Sequence, residues 1–217
     1  MKKIKKFTNK KMILIILILA VAIITTIFTI NIFKNNYKKI KLGNNTNTEM
    51  IKDIYNLESY KAKVKIRVTS NKNENEYEAY QETKGETYNK QEMLKPDEIS
   101  GMEIIYENGN LEIKNTNLDL SKIYKNYKDL QSNDLFLNTF IKDYKENKEN
   151  NVIEKDEKII ITEHNNKNKY STKKQLKLDK KTGKPEELTI YDYNNKVKIY
   201  ILYIEIELNN WNTSSLI

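Results

Sequence analysis

An uncharged stretch from Met12 to Phe33 is the feature that most constrains how this 217-residue chain folds. As a helix rising 1.5 Å per residue it spans roughly 33 Å, enough to cross a hydrocarbon core of ~30 Å. Most of its side chains are aliphatic or Phe, and the polar ones lie toward its far end: Thr25, Thr26, Thr29 and Asn31. The threonine hydroxyls can bond to the helix backbone, so their cost in a membrane is small. The stretch therefore predicts a transmembrane anchor at residues 12–33.

A cleaved signal peptide is the main alternative to this anchor. Ala20-Val21-Ala22 resembles a cleavage site that follows a short apolar segment. The apolar run continues through Ile32, however, so cleavage there would leave a hydrophobic N-terminus on the mature protein. A lipoprotein signal is excluded because it requires a cysteine after the apolar segment, and the chain has none.

Flanking charge predicts the orientation of the anchor. Six lysines precede the run, whereas four follow it closely: Lys34, Lys38, Lys39 and Lys41. Because positive charge is usually retained on the cytoplasmic side, we expect a single-pass signal anchor with its N-terminus inside. The predicted organisation is a cytoplasmic segment at 1–11, the anchor at 12–33, a tether at 34–47 and an extracytoplasmic β-rich domain at 48–217.

The N-terminal lysines also account for most of the net charge of +8. The first acidic residue is Glu49, and beyond Phe33 there are 32 basic and 30 acidic residues. Lysine and glutamate are interspersed there, without the clustered positive charge that a nucleic-acid footprint needs. Nucleic acid is therefore not a predicted partner, and the absence of cysteine excludes disulfides and thiolate metal sites.

Period-two alternation predicts that the domain is mainly antiparallel sheet. In residues 60–69, Ala62, Val64, Ile66 and Val68 alternate with basic residues, as in a strand with one buried face. Asn108-Gly109 predicts a type I′ hairpin between strands at 102–107 and 110–114. Further strands are predicted at 76–83, 86–94, 152–155, 158–163, 172–178, 188–193 and 196–208.

Loops and two helices complete the predicted domain. Thr48 is a candidate cap for a helix at 49–57, and residues 133–146 carry apolar side chains at helical spacing. Residues 96–101, 164–169 and 179–185 have loop or turn composition. The predicted fold is therefore α+β, with about nine or ten antiparallel strands in an open sheet covered by about two helices.

The sequence contains no recognisable catalytic constellation. Its single histidine, His164, lies between predicted strands, and no zinc-ligand spacing or G-x-S-x-G motif occurs. Paired carboxylates occur at Glu186-Glu187, Asp97-Glu98 and Glu205 with Glu207, and we interpret the last pair as the solvated face of a strand. We therefore predict no enzyme activity and no catalytic, cofactor-binding or metal residues; the residues of a partner or ligand interface stay unknown at this stage.

Tyrosines are frequent in the predicted strands and allow two interpretations. They pack well on sheets, and they also form aromatic anchors at protein interfaces. We favour sheet packing and keep the interface as the alternative. The residues concerned are Tyr77, Tyr80, Tyr88, Tyr106, Tyr191, Tyr193, Tyr200 and Tyr203.

Three stretches of the chain resemble the LolA-like superfamily of lipoprotein carriers and sorting proteins. They are an opening strand at 57–66, a central hairpin at 95–111 and a strand–turn–strand at 176–192. Within that superfamily the chain is most similar to the GerS-type spore-germination lipoproteins of clostridia, over about residues 48–210. One departure is clear, because GerS-type proteins carry a lipid-attachment cysteine that this chain lacks. Either a helical anchor takes the place of the lipid, or the departure marks a paralogue with another partner.

The resemblance implies a curved, open antiparallel sheet wrapped over helices. For GerS-like proteins it implies a non-enzymatic accessory role in spore cortex peptidoglycan modification and germination, through protein binding to a cell-wall amidase. This role would place the domain in the forespore or spore envelope. For the carriers it implies an apolar concave face that holds lipid or lipoprotein acyl chains, which is the alternative function here. An envelope hydrolase is a third possibility that the residue inventory argues against, and a homodimer, with or without strand exchange, is left open.

Overall fold

A computed structural model describes residues 38–39, 46–70, 72–127, 134–147, 150–164 and 171–210. The chain divides into two units, residues 1–38 and 39–217, and the description below concerns the second. A two-residue strand, β1 (Lys38–Lys39), lies at the boundary between the units. The predicted anchor at 12–33 and most of the predicted turn at 164–169 fall outside the described residues. Among the helices in those residues, none has the length and apolar character needed to cross a membrane.

One antiparallel sheet contains all the longer strands of the second unit. Across it the order is β8–β9–β10–β11–β12–β2–β3–β4–β5–β6–β7, so that β12, the last of these strands in the chain, pairs with β2, the first of them. The strands are β2 (Leu57–Thr69), β3 (Glu74–Lys84), β4 (Tyr88–Lys95), β5 (Met102–Glu107), β6 (Asn110–Asn115), β7 (Leu120–Tyr124), β8 (Asn151–Lys155), β9 (Lys158–His164), β10 (Lys173–Asp179), β11 (Pro185–Tyr191) and β12 (Val197–Asn210).

The central strand β2 shows why the sheet has one buried and one solvated face. Tyr60, Ala62, Val64 and Ile66 are all buried, as their alternation predicts. The intervening basic residues point outward, where the Arg67 guanidinium donates to a Glu76 carboxylate oxygen at 2.8 Å. Exposed ion pairs of this kind contribute little to stability, so burial of the apolar face dominates.

Two helices, α1 (Thr46–Tyr55) and α2 (Leu137–Glu146), cover part of the buried face. Ile51 and Ile54 of α1 join Phe140 and Ile141 of α2 in one core with the sheet. The helices also contact each other, since the rings of Tyr55 and Tyr144 lie edge to face with centroids 6.5 Å apart. The predicted combination of a large antiparallel sheet with two helices is therefore confirmed.

The turns follow the predicted chemistry. Asn108 and Gly109 have φ values of 49° and 81°, as a type I′ hairpin requires. In the turn after β10, one Asp179 carboxylate oxygen accepts hydrogen bonds from the backbone N–H groups of Lys181 and Thr182. This carboxylate mimics a backbone acceptor and fixes the turn.

Several boundaries differ from the prediction. Helix α1 starts at Thr46 and ends at Tyr55, because Leu57 already belongs to β2. Helix α2 starts at Leu137, since Phe136 is extended with ψ of 141°. Residues 97–99 form a short 3₁₀ helix within the predicted loop, and Tyr193 lies in a turn after β11. The strand β7 was not predicted, and with it the sheet exceeds ten strands.

Candidate functional site

The single histidine and the three paired carboxylates noted in the sequence lie on different elements of the fold. His164 is half-buried at the end of β9, Glu205 and Glu207 are exposed, and the 3₁₀ carboxylates at 97 and 98 face solvent. Glu187 of β11 pairs with a lysine of the adjacent β10, and Glu186 pairs with a lysine of β9, two strands away. Within the described ranges, no group of three or more His, Cys, Asp or Glu side chains is placed to hold a metal ion.

The tyrosines mostly serve the sheet. Tyr106 and Tyr203 are buried, and Tyr77, Tyr88, Tyr191 and Tyr200 are partly buried. Tyr80 and Tyr193 are 48% and 66% exposed and lie outside the core. Neither of these two exposed rings lines the groove described below. The tyrosines alone therefore do not define a site.

A buried polar cluster lies between the β9–β10 pair and α2. Lys174 of β10 is 1% exposed and directly faces Glu163 of β9, which is also 1% exposed. The Lys174 ammonium forms ion pairs with Asp134, just before α2, and with Asp143 within it. The cluster thus ties the second helix to the sheet through charges on both sides.

The electrostatics of this cluster are balanced around the lysine. Burial by itself lowers the pKa of Lys174, but the adjacent carboxylates of Asp134 and Asp143 together raise it above its ordinary value. Burial raises the pKa of Glu163, despite the opposing influence of the Lys174 charge. One oxygen of Glu163 accepts a hydrogen bond from the Asn147 amide at 3.2 Å, whereas Oε2 is buried without a partner in the described part of the chain. We interpret the cluster as structural.

Replacing Glu163 with Gln is expected to change how stability depends on pH. The raised pKa means that the folded state favours the protonated carboxyl, so wild type loses stability as pH rises above about 4.3 through the raised value. The Gln variant lacks this loss. Urea unfolding should show its stability relative to wild type increasing by on the order of 1 kcal/mol between pH 4 and pH 8.

The matched control is Glu205→Gln on the exposed face of β12, which is expected to change stability by less than about 0.5 kcal/mol at either pH. A constant difference between Glu163→Gln and wild type across this pH range would contradict the assignment of a desolvated carboxylate at position 163.

A groove of about 1060 Å³ opens where α1 and α2 meet the ends of β2, β4 and two hairpin turns. Its floor includes Asn89 and Tyr106, and Gly85 and Gly109 lie in the turns at its rim. The carboxylates that line it outnumber the lysines; these charged residues are Asp53, Glu58, Glu86, Glu146, Lys142 and Lys145.

Polar contacts organise the groove. The Asn138 amide of α2 donates to Asn89 Oδ1 at 2.7 Å and so joins the helix to β4. The Lys145 ammonium lies 4.7 Å from the centroid of the Tyr55 ring. The aliphatic side chains among the described lining residues are Leu57 and Ile141. The groove therefore presents charged and amide side chains beside these two aliphatic ones.

The strand β7 forms an exposed end of the sheet next to β6. All five of its residues are exposed, including Leu120 at 62% and Ile123 at 57%. The neighbouring Leu118 is equally exposed. Large apolar side chains on a free strand edge are a typical protein-interaction feature.

The chain is similar to solved structures of other proteins. No curated protein matches the chain. A chain from the structure of the CwlD amidase in complex with the GerS lipoprotein, from Clostridioides difficile, is 23% identical, with 78% of this chain and 100% of that chain covered and a TM-score of 0.49.

Two other solved structures are similar over most of the chain. The LolA superfamily protein NE2245 from Nitrosomonas europaea is 12% identical, with 77% and 95% of the two chains covered and a TM-score of 0.37. An uncharacterised conserved protein from Thermus thermophilus is 10% identical, with 76% and 89% covered and a TM-score of 0.46. A GerS complex and a LolA superfamily protein are thus both among the similar structures, as the resemblance in the sequence predicts.

The family comparison covers nearly the whole sequence. The model of the YdcC-like sporulation proteins matches residues 10–215, a range that includes every strand and helix described above. Because the match extends over far more than half of the chain, this protein belongs to the family of YdcC-like sporulation proteins.

Proposed function

We propose that this protein is a non-enzymatic accessory protein of sporulation that binds a cell-wall amidase acting on spore cortex peptidoglycan. The observation that carries the proposal is the match to a sporulation family over residues 10–215. The partner class comes from the sequence resemblance to GerS-type proteins and is the class to test first. An accessory role needs binding surfaces rather than reactive groups.

The domain offers two surfaces of the kind that a protein partner needs. The groove beside α2 is lined by charged and amide side chains, and β7 presents apolar side chains on a free edge. The strand β7 ends the described sheet on the side away from β10, whereas the groove is lined in part by α2, the helix that also carries Asp143 of the buried cluster. A partner can therefore engage β7 without disturbing the charges that join α2 to β10.

The anchor at residues 12–33 is part of the proposal. Its length and the lysines before it support a single-pass protein with the domain outside the cytoplasm. The segment predicted as a tether then connects this anchor to the domain, whose helix α1 begins at Thr46. Protease added to protoplasts is expected to digest the domain, and full protection would contradict this orientation.

The carrier alternative requires apolar space for an acyl chain. In the described residues the buried face of the sheet is occupied by side chains of both helices, such as Ile54 and Phe140, and the groove is lined by charged and amide side chains beside two aliphatic ones. Both observations give the accessory role more support. Mass spectrometry of the purified protein should find no stoichiometric lipid if the accessory role is correct.

Deletion of the gene tests the proposed function in the cell. Spores of the deletion strain are expected to lack most of the muramic lactam of their cortex and to germinate poorly, because the amidase step would fail. Expression of the intact chain from a second locus should restore both properties. Normal cortex lactam together with normal germination in the deletion strain would rule the proposal out.

A further inference from the structure

One backbone edge of β7 has no strand partner in the part of the chain that the structure describes. On one side the strand pairs with β6, from Leu111 opposite Tyr124 to Asn115 opposite Leu120. On its other side the sheet order contains no further strand among the described residues. Half of its N–H and C=O groups therefore lack a partner strand among these residues and have the geometry that an added strand requires.

The backbone defines how long an added strand can be. Asp119 and Asn126, which flank β7, have φ values of 50° and 54°, so the chain turns away at both ends. The extended segment of five residues between these turns spans roughly 17 Å. An added strand of about the same length would pair with the whole edge.

The side chains of β7 determine which side chains an added strand should carry. Leu120, Lys122 and Tyr124 share one face, while Ser121 and Ile123 share the other. The Lys122 ammonium lies 5.0 Å from the centroid of the Tyr124 ring. It has no ion pair within the residues that the structure describes, whereas Ser121 is already bonded to Glu112. The edge thus carries one central cation between two exposed apolar side chains.

This pattern distinguishes between two occupants. If a second copy of the chain paired antiparallel over the full length of β7, Lys122 would lie opposite Lys122 of the other copy. Like charges directly opposite each other destabilise a strand pair, and a central lysine is a common protection against self-association of edges. A strand with an acidic residue opposite Lys122 and apolar residues two positions to either side would instead be complementary.

We infer that the amidase partner adds an extended segment of this composition, apolar–x–acidic–x–apolar, to the free edge of β7. The inference rests on the proposed function and extends it, because it assigns the partner a site and a mode of binding. Main-chain hydrogen bonds along β7 supply affinity, and the acidic residue opposite Lys122 fixes the register.

Charge reversal at the edge provides the first test. The full chain in detergent is titrated with the purified cortex amidase of the same organism. Lys122→Glu is expected to weaken binding about tenfold, because a favourable cross-strand pair becomes a repulsive one. Lys181→Glu, an equal charge change in the exposed turn after β10, is the matched control and should leave affinity within about twofold.

Proline substitution provides the second test, because it addresses the backbone. Adjacent N–H groups point to opposite edges of a strand, so proline at 121 or at 122 removes either the free donor or a ladder bond to β6. Whichever of Ser121→Pro and Lys122→Pro keeps wild-type thermal stability is expected to lose binding at least about tenfold. Lys122→Ala serves as the side-chain control for the second variant.

The outcomes separate the inference from the proposed function. If wild type binds the amidase and every one of these variants binds equally well, the β7 site is wrong and the accessory role stands. If wild type does not bind the amidase at all, both are wrong. A full chain that forms dimers, which the stable proline variant abolishes, would assign β7 to a second copy and overturn the inference.

Discussion

Replacing Lys174 with Met is expected to destabilise the domain by about 3–5 kcal/mol, the largest loss foreseen for any single change. Lys174 is 1% exposed and is the cation shared by Asp134 and Asp143, with Glu163 directly opposite on β9. The methionine would fill the space but leave these carboxylates without a counter-charge. They would then have to take up protons or pull away from the sheet, which loosens α2. Chemical unfolding at neutral pH measures the loss.

Lys177→Met is the matched control for this change, since it lies on the same strand but on the opposite face. Its ammonium pairs with Glu187 on the outward face and is 39% exposed, so its removal should cost at most about 1 kcal/mol. Equal effects of the two substitutions would show that the buried cluster is not held together by its lysine.

Two buried tyrosines should respond in opposite ways to loss of their hydroxyl groups. The Tyr60 hydroxyl donates to Gln81 Oε1 at 3.0 Å and accepts the backbone N–H of Leu137, the first residue of α2, at 3.1 Å. Phe136 precedes this helix and has no side chain that can cap it. The Tyr60 hydroxyl, which belongs to β2, therefore accepts the first N–H group of the helix instead. Tyr60→Phe leaves two buried groups unpaired and is expected to cost about 2–3 kcal/mol.

The Tyr203 hydroxyl is also buried, but it has no hydrogen-bond partner in the described part of the chain. Burial raises the pKa of both tyrosines. Tyr203→Phe removes a desolvated group without breaking a bond, so stability should stay unchanged or rise by about 1 kcal/mol. Urea unfolding of the two variants side by side makes the comparison. A larger loss for Tyr203→Phe than for Tyr60→Phe would contradict the assigned roles.

Local patterns made much of the sheet predictable. The alternation of Ala62, Val64 and Ile66 is a strong signal because a one-residue shift would expose all of them. Asn108-Gly109 is equally strong, since few residue pairs accept two positive φ values. These signals depend only on neighbouring residues, and the structure confirms both.

Features that depend on distant contacts were not predictable in the same way. Lys174 shares the parity of Leu176 and Leu178, which signals an inward position. Its partners Asp134 and Asp143, however, are 40 and 31 positions away in the sequence, so only the tertiary fold brings them together. The strand β7 lacks an apolar face, because Lys122 interrupts Leu120 and Tyr124, and its strand state depends on pairing with β6.

The groove was equally hidden from sequence reasoning. It lies among turns and helix ends that are far apart in the chain, such as Asn56, Thr87 and Asn138. None of these residues carries a motif, since amide and hydroxyl side chains at turns are common for local reasons. A site that binds a protein surface, unlike a catalytic site, leaves no compact chemical signature in a single sequence.

The central claim, an accessory protein that acts by binding an amidase, is tested most directly by mixing the two purified proteins. The full chain in detergent and the cortex amidase of its organism are combined, and light scattering after size exclusion measures the complex while muropeptide release measures activity. We predict a stable complex, no release by the chain alone, and more release by the mixture than by the amidase alone. Separate elution of the two proteins with unchanged amidase activity, or muropeptide release by the chain alone, would contradict the claim.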